Sequence, residues 1–353
     1  MHRPFVIYDP TKSDTSSSVR GVGRYVSLLR DYISGAKFVS SIQNVPEDAV
    51  FLVPFYNFLS RPLSIRKIAR VQLAVIHDLI PQKYPRHFPA GIRGQLMSFT
   101  NRLLLNNFDG IITDSEASKS DIKNFLGFPE DKIRVVYPVI SQSLFHALKS
   151  APDTSGEVQD TFPRKPFFLY VGDATWNKNL VHIARAAKIA DVPVVFAGSL
   201  FSRPRLHALA RSRRHHPWLA ELAAFSEEID DDPRFILEGF VSDDRLALLY
   251  KSAWACLAVS RDEGFGFPYL EAAHAGCPSV LGDIPVSREV AGDSALFADP
   301  EDPVDIADQI KHILLPETRK RLATAARRSI RRFTPTSFKK DFSQIASEFG
   351  KVQ

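Results

Sequence analysis

Cysteine is scarce in this chain: Cys256 and Cys277 are the only two among 353 residues, and each lies inside an apolar stretch. A disulfide framework is therefore excluded, and a reducing compartment is the natural setting. No run of about 18 apolar residues occurs, so no spanning helix is expected. The longest apolar window, AVFLVPFYNFL from Ala49 to Leu59, is broken by Pro54 and Asn57 and reads as a buried strand and loop. The opening MHRPFVIYDP has too short an apolar run for a signal peptide and nothing like a cleavage site. Cys-x-x-Cys and His-x-x-x-His are missing, so no metal is implied, and without G-x-S-x-G a serine hydrolase has no support.

What is present is ordinary in bulk and uneven in detail. Apolar residues make up 44% and charged residues 24%, a soluble globular composition, and the length exceeds what one core usually serves. Two domains are expected. The formal charge of +5, from 45 basic and 40 acidic residues, is concentrated in RPLSIRKIAR (Arg61 to Arg70), RPRLHALARSRRHH (Arg203 to His216) and RKRLATAARRSIRR (Arg319 to Arg332). These are solvated helix faces or surfaces for anionic headgroups or a phosphorylated substrate. They lack interleaved aromatics and any nucleic-acid-binding motif, so no nucleic acid is expected.

Along the chain, short β-branched and apolar runs alternate with amphipathic stretches. FVIYD, AVFLVP, VQLAVIHD and FDGIITDS read as buried strands in the first half, and VGRYVSLLRDYI as a helix. PFFLYVGD, PVVFAGS, RFILEGF, ACLAVS, CPSVLGD and SALFAD repeat the theme in the second. Such alternation predicts α/β architecture with parallel sheets covered on both faces. Between the halves, KSAPDTSGEVQDTFPRKP (Lys149 to Pro166) is rich in Pro, Ser, Thr, Asp and Gly and reads as a linker. Two doubly wound domains facing across a cleft follow, with ligands expected beyond the carboxyl ends of the strands.

One segment concentrates the chemistry. In SRDEGFGFPYLEAAHAGCPSV (Ser260 to Val280), seven residues separate Glu263 from Glu271, and Gly264 and Gly266 lie between them. ACLAVS would be a strand, and Pro268 suits the first turn of a following helix, with Glu271 in that turn. The glycines would then sit where a ligand reaches bare backbone, and the helix N-terminus would favour an anion. A tight loop with a capping acid fits the spacing equally well.

Beyond the spacing, EGFGFPYLEA resembles the E-x7-E signature of retaining glycosyltransferases of family 4, which have the GT-B fold of two Rossmann-like domains. The likeness runs almost continuously from about Phe167 to Pro303, through FVSDDRLALLYKSAWACLAVS before the signature and GCPSVLGDIPVSREVAGDSALFADPEDP after it. It implies that Glu271 binds the ribose hydroxyls of a nucleotide and Glu263 the hydroxyls of a donor hexose. Gly264, Phe265, Gly266 and Phe267 would offer backbone N–H groups to the sugar and diphosphate. In YVGDATWNKNL a strand ends at Gly172, and Lys178 is a point charge suited to a diphosphate leaving group. The family often carries Arg before this lysine; here the residue is Asn177, as in related members with W-N-K-N.

SVRGVGRYV (Ser18 to Val26) lacks the third glycine of a dinucleotide motif, and no acidic ribose anchor follows about 20 residues on. Its G-x-G-R-Y resembles a family glycine loop that opens a helix, which would bring Gly21, Gly23 and Arg24 to the diphosphate or acceptor. In AVIHDLIPQKYP, the H-D-L-I-P form resembles mannosyl- and related transferases of surface glycans. The resemblance implies that His77 hydrogen-bonds the donor hexose, with Asp78 orienting the loop. Ser115, in IITDSEASKSDI, is expected to play a positional part. EEIDDDP (Glu227 to Pro233) reads as a solvated loop before a strand.

The resulting expectation is a GT-B enzyme in which residues 1–155 form an acceptor domain, 156–335 a nucleotide-sugar domain, and 336–353 a helix crossing back to the first. It would transfer a hexose with retention, using His77, Glu263 and Lys178, with no cofactor and no metal. GDP-mannose is the favoured donor; UDP-glucose, UDP-GlcNAc and dTDP-rhamnose stay open. The acceptor would be a glycan or lipid-linked glycan of bacterial surface polysaccharide. The location would be cytoplasmic, with peripheral contact at the anionic inner face of the plasma membrane. Two other classes fit parts of the pattern: a sugar-nucleotide epimerase on the same fold, which needs no acceptor, and a non-catalytic nucleotide- or glycan-binding module. The Asn177 departure favours the module; intact Glu263, Lys178, Glu271 and His77 oppose it.

Overall fold

The computed structural model describes residues 3–12, 21–152, 167–211 and 216–350. Most of the polar loop that ends at Ser18, most of the linker and part of the Arg203–His216 basic run lie outside the described residues. The chain divides into two compact units. The first comprises Met1–Pro85, Pro89–Ser141 and Arg332–Gln353; the second comprises Arg86–Phe88 and Gln142–Arg331.

Among the described residues of the first unit, six strands form one parallel sheet: β1 (Phe5–Tyr8), β2 (Lys37–Val39), β3 (Val50–Val53), β4 (Val71–Val75), β5 (Gly110–Thr113) and β6 (Ile133–Val135). Their order is β2-β1-β3-β4-β5-β6, so the sheet reverses its direction of growth between β1 and β3. β3, β4 and β5 are buried along their whole length, as strands covered on both faces must be. Phe51, Ala74 and Ile111 sit in the core that results. The helix Pro335–Gly350 also belongs here. It packs Phe338 against Tyr32 at 6.1 Å between ring centroids, and its Glu348 pairs with Arg134.

The second unit holds a parallel sheet of six strands as well: β7 (Phe168–Val171), β8 (Val194–Ala197), β9 (Phe235–Gly239), β10 (Ala255–Ala258), β11 (Ser279–Gly282) and β12 (Leu296–Ala298). The order β12-β11-β10-β7-β8-β9 reverses between β7 and β10. Ligands of doubly wound sheets bind at such a reversal, beyond the carboxyl ends of the two strands. Those ends carry the Gly172–Lys178 and Ser260–Gly266 loops.

Three details depart from the sequence reading. The short edges β2 and β6 were not expected, and their partly exposed residues include Lys37 and Arg134. The helix Gln142–Ser150 belongs to the second unit, ahead of the linker at which a boundary was expected; Lys251 Nζ donates to Ala151 O just beyond it. Glu271 is the fifth residue of the helix Phe267–Ala275, one place past the first turn, because the helix begins at Phe267 rather than Pro268. Both cysteines are buried and free, and burial pushes the Cys277 thiol up to about 12. No helix among the described residues is long and apolar enough to cross a membrane.

Candidate functional site

At the reversal point of the second sheet, two loops about 85 residues apart in sequence are joined by hydrogen bonds. Lys178 Nζ donates to Glu263 Oε1 at 2.6 Å, and Ser260 Oγ donates to the same oxygen at 2.7 Å. Asn177 Nδ2 donates to Asp262 O at 3.0 Å, while its Oδ1 accepts from Thr175 Oγ1 at 2.7 Å. The Asn177 carbonyl accepts from Arg261 N at 2.8 Å, and Arg261 Nη1 donates to Trp176 O at 2.7 Å. Asn179, held at φ 60 and ψ 38 before the helix Leu180–Ala190, donates to Val259 O at 3.0 Å and to Pro300 O at 2.6 Å.

These contacts give the pair a fixed place while leaving it reachable. The Lys178 and Glu263 side chains are 20% and 16% exposed, whereas Asn177 is buried. A charged pair at this depth can exchange its mutual bond for bonds to a ligand without a large change in desolvation. Arg261 backs the loop from beneath, 2.7 Å from Glu301 and 3.6 Å from Glu221, with its guanidinium 5.1 Å from the centroid of the Trp176 ring. The His87 ring stacks on the same indole, 3.9 Å away and 9° from parallel.

The glycines follow from geometry. Gly266 adopts φ 99 and ψ 54 at the cap of the helix Phe267–Ala275, a conformation that side-chain-bearing residues rarely reach. No side chain caps that N-terminus, which is the arrangement an anion can exploit. Glu263, Phe265, Gly266, Pro268 and Tyr269 line a shallow recess beside it. Gly264 and Phe265 are buried in the loop, and Phe267 opens the helix. Gly172 follows β7 and donates to Ala197 O at 3.1 Å. Glu271, further along the helix, is buried, and its Oε2 accepts from Tyr250 OH at 2.9 Å.

In the first unit, the carboxyl ends of β3, β4 and β5 gather a second group. His77 Nδ1 lies 2.6 Å from Asp114 Oδ2, and Nε2 lies 3.1 Å from Pro54 O. Both partners are acceptors, so both ring nitrogens donate and the imidazolium form fits. Burial pulls the His77 pKa down, but the Asp114 carboxylate, with Asp78 and the Pro54 carbonyl, outweighs it and leaves the value raised. The edge of Tyr25 packs on the ring with centroids 4.5 Å apart. Tyr25 OH and Asp114 Oδ1 are buried without a hydrogen-bond partner among the described residues. Asp78 Oδ1 accepts from Ile80 N at 3.0 Å and orders the turn after His77; Ser115 Oγ caps the helix Glu116–Asp121 by accepting from Ser118 N. Gly21 is the first residue of the helix Gly21–Tyr32, and Gly23 and a half-buried Arg24 follow within its first turn.

The residues that sequence reasoning missed are those that work through others: Asn179, Arg261, Ser260 and Tyr250 in the second unit, Asp114 and Tyr25 in the first. The second asparagine of W-N-K-N was the available sign for Asn179, since asparagine tolerates the left-handed region. Among the described residues no group of three His, Cys, Asp or Glu side chains is placed to hold a metal ion. EEIDDDP is tied down by cations, Asp232 to Arg234 at 2.7 Å and Glu228 to Lys188 at 2.8 Å.

Comparison with known proteins bears on both units. The family described as glycosyl transferases group 1 matches residues 154–329. The O-antigen chain mannosyltransferase RfbU of Salmonella typhimurium is 26% identical over 246 residues, covering 70% of this chain and 62% of that protein. The O-antigen chain mannosyltransferase B of Escherichia coli is 26% identical over 266 residues, covering 72% and 65%. The matched stretches thus span less than two thirds of these relatives. Among solved structures, a sucrose-phosphate synthase of Thermosynechococcus elongatus aligns with a TM-score of 0.73 at 16% identity, covering 99% of this chain and all of that one. Anabaena HepE, solved with UDP and glucose, aligns at 0.66 and 16% identity over 98% of this chain and all of its own. The fold is GT-B.

Proposed function

We propose that the chain, whose residues 154–329 match the group 1 glycosyl transferases, is a member of that family that moves a hexose, mannose before others, from a nucleotide-sugar donor to a hydroxyl of a glycan or lipid-linked acceptor. The observation that carries this reading is the Lys178–Glu263 pair, stitched between two loops at the reversal point of the second sheet. An ammonium and a carboxylate fixed together there offer one group to a diphosphate and the other to sugar hydroxyls.

In this scheme the acceptor hydroxyl oxygen bonds to the anomeric carbon from the face that the leaving group departs. The bond from that carbon to the β-phosphate oxygen breaks, and the nucleoside diphosphate leaves. The hydroxyl proton passes to a phosphate oxygen. Lys178 and the uncapped N-terminus beside Gly264, Phe265, Gly266 and Phe267 take the charge that develops on the diphosphate. Glu263 holds the hexose, and Glu271 exchanges its bond from Tyr250 for the ribose hydroxyls. His77 binds the donor hexose by exchanging the Pro54 carbonyl for a sugar hydroxyl. Gly21, Gly23 and Arg24 serve the diphosphate or the acceptor. Asn177 and Gly172 act on the donor through the loop they shape. No metal takes part, and the acceptor is met at an anionic membrane face.

The test is thermal stabilisation by GDP, UDP, dTDP and ADP, with and without EDTA. A ligand at 100 times its Kd raises stability by about 2.7 kcal/mol. The expected outcome is a clear shift with GDP that EDTA leaves unchanged and Lys178→Ala removes, followed by turnover of GDP-mannose with an acceptor present. A shift with another nucleotide alone reassigns the donor. No shift with any of them sinks the donor site.

A further inference from the structure

One helix of the first unit is built inside out. Gly91–Leu104 exposes Ile92 (89%), Leu96 (59%), Phe99 (63%) and Leu103 (57%) while it buries Asn101. At about 100° per residue the four apolar side chains fall within roughly 60° of one another, a single continuous stripe. On the inner side Met97 and Leu104 are only half-buried, and polar bonds anchor the helix through Asn101. Asn101 Nδ2 donates to Phe58 O at 2.9 Å and to Ser60 O at 2.8 Å, and the Asn101 carbonyl accepts from Tyr56 OH at 2.6 Å. A core helix shows the reverse pattern.

The stripe is extended by its neighbours. Phe125, 41% exposed, lies under the Arg102 guanidinium, and Arg102 also donates to the Phe125 carbonyl. Ile65, 72% exposed, stands on the adjoining loop, where Asn107 Nδ2 donates to its carbonyl at 3.3 Å. Contiguous apolar exposure of this kind on a rigid element marks a surface meant to be covered.

Charge says by what. Between Asp78 and Asp109 the chain contains no Asp or Glu, and the helix itself carries Arg93 and Arg102. Arg93 and Arg102 are exposed on opposite flanks of the stripe, and the exposed Arg61 and Arg66 lie on the Ile65 loop. A second copy of the chain would bring the same cations face to face, a repulsion an anionic bilayer does not present. An apolar ridge with an arginine rim is the pattern of a helix that lies in a membrane interface. The geometry points to Gly91–Leu104 as the docking helix for an anionic lipid bilayer, seated with Ile92, Leu96, Phe99 and Leu103 among the acyl chains near the headgroups. This deepens the reading of an acceptor met at the membrane, and rests on that reading for its biological purpose.

The experiment is co-sedimentation of the full chain with phosphatidylglycerol-containing vesicles and with pure phosphatidylcholine vesicles. The wild-type protein binds the anionic vesicles, less so at high salt. L96E/F99E lowers that partitioning about tenfold or more, since two apolar anchors are replaced by charges. R66Q/R93Q lowers it by about fivefold for each arginine on anionic vesicles only. Both variants keep the wild-type melting temperature and the wild-type nucleotide shift, which separates a failure of docking from a failure of the donor site. Wild-type partitioning by L96E/F99E, or no binding of the wild-type chain to anionic vesicles, overturns the proposal. So does sedimentation analysis showing that the stripe instead holds two copies together.

Discussion

The two sheets end in ion pairs of opposite kinds. In the second unit, Lys178 and Glu263 meet at 2.6 Å with 20% and 16% of their side chains exposed. In the first, His77 and Asp114 also meet at 2.6 Å; His77 is 16% exposed, like Glu263, but Asp114 is only 3% exposed and His77 also bonds the Pro54 carbonyl. The bond lengths match; the surroundings do not. A partly exposed pair can trade partners, because water or a ligand replaces each bond. A buried one is expensive to break, since the remaining charge has nowhere to go. The comparison therefore separates a pair available to a ligand from a pair that holds a ring in place.

The largest expected effect breaks the accessible pair. Lys178→Ala should lower kcat by about a hundredfold to a thousandfold, the scale for removing one preorganised group from developing charge. Its melting temperature should fall less than that of an Asp114 variant, because both partners of the broken pair keep some contact with water. Asp114→Ala should do the opposite, with a loss of about 2–4 kcal/mol in denaturant unfolding, less than a fixed buried charge would cost because His77 can shed its proton. Equal destabilisation by both variants would dissolve the distinction.

A smaller effect follows from titration. The His77 pKa is raised in the folded protein, chiefly because Asp114 outweighs the opposing effect of burial. A raised value means that the folded state binds the proton more tightly than the unfolded chain. The stabilisation is then complete below the unfolded-state value of about 6.5 and fades as pH climbs through the folded-state value. The difference in unfolding free energy between wild type and His77→Gln should shrink from pH 6 upward. A difference that grows with pH would show that the ring is held neutral.

The same two places show where sequence reading works and where it stops. Strands such as VFLV and FLYV declare themselves because both faces are buried, leaving an unbroken apolar run. β2 and β6 do not, since a three-residue edge containing Lys37 or Arg134 resembles a loop. Glu263 and Lys178 stood out as charges beside glycine and strand ends. Their support did not: Asn177 reaches Asp262, and Asn179 reaches Val259 and Pro300, across 80 to 121 residues of chain. Bonds of that span leave no local periodicity. Asp114 escaped notice for the same reason, 37 residues from the histidine it holds. Periodicity also cannot say what covers a face. Ile92, Leu96, Phe99 and Leu103 have the spacing of a core helix, and only their exposure in the structure, with Asn101 buried beneath them, shows that they face outward.

The smallest effect gives the sharpest version of the comparison. Gly266 in the second unit and Gly127 in the first both hold a left-handed conformation, at φ 99 and φ 68, and a Cβ on either would meet nothing within 4 Å. With no clash to relieve, alanine at each position should cost only the conformational penalty, about 1 kcal/mol. The two variants should therefore melt alike. Their nucleotide response should differ if the proposed donor site is right, because a methyl group at Gly266 would stand in the recess beside Glu263, whereas Gly127 ends the helical turn Ile122–Leu126. Gly266→Ala should weaken the stabilisation by GDP while Gly127→Ala leaves it intact. If both lose it equally, the loss reflects general loosening of the fold, and the recess at Gly266 is not where the nucleotide sits.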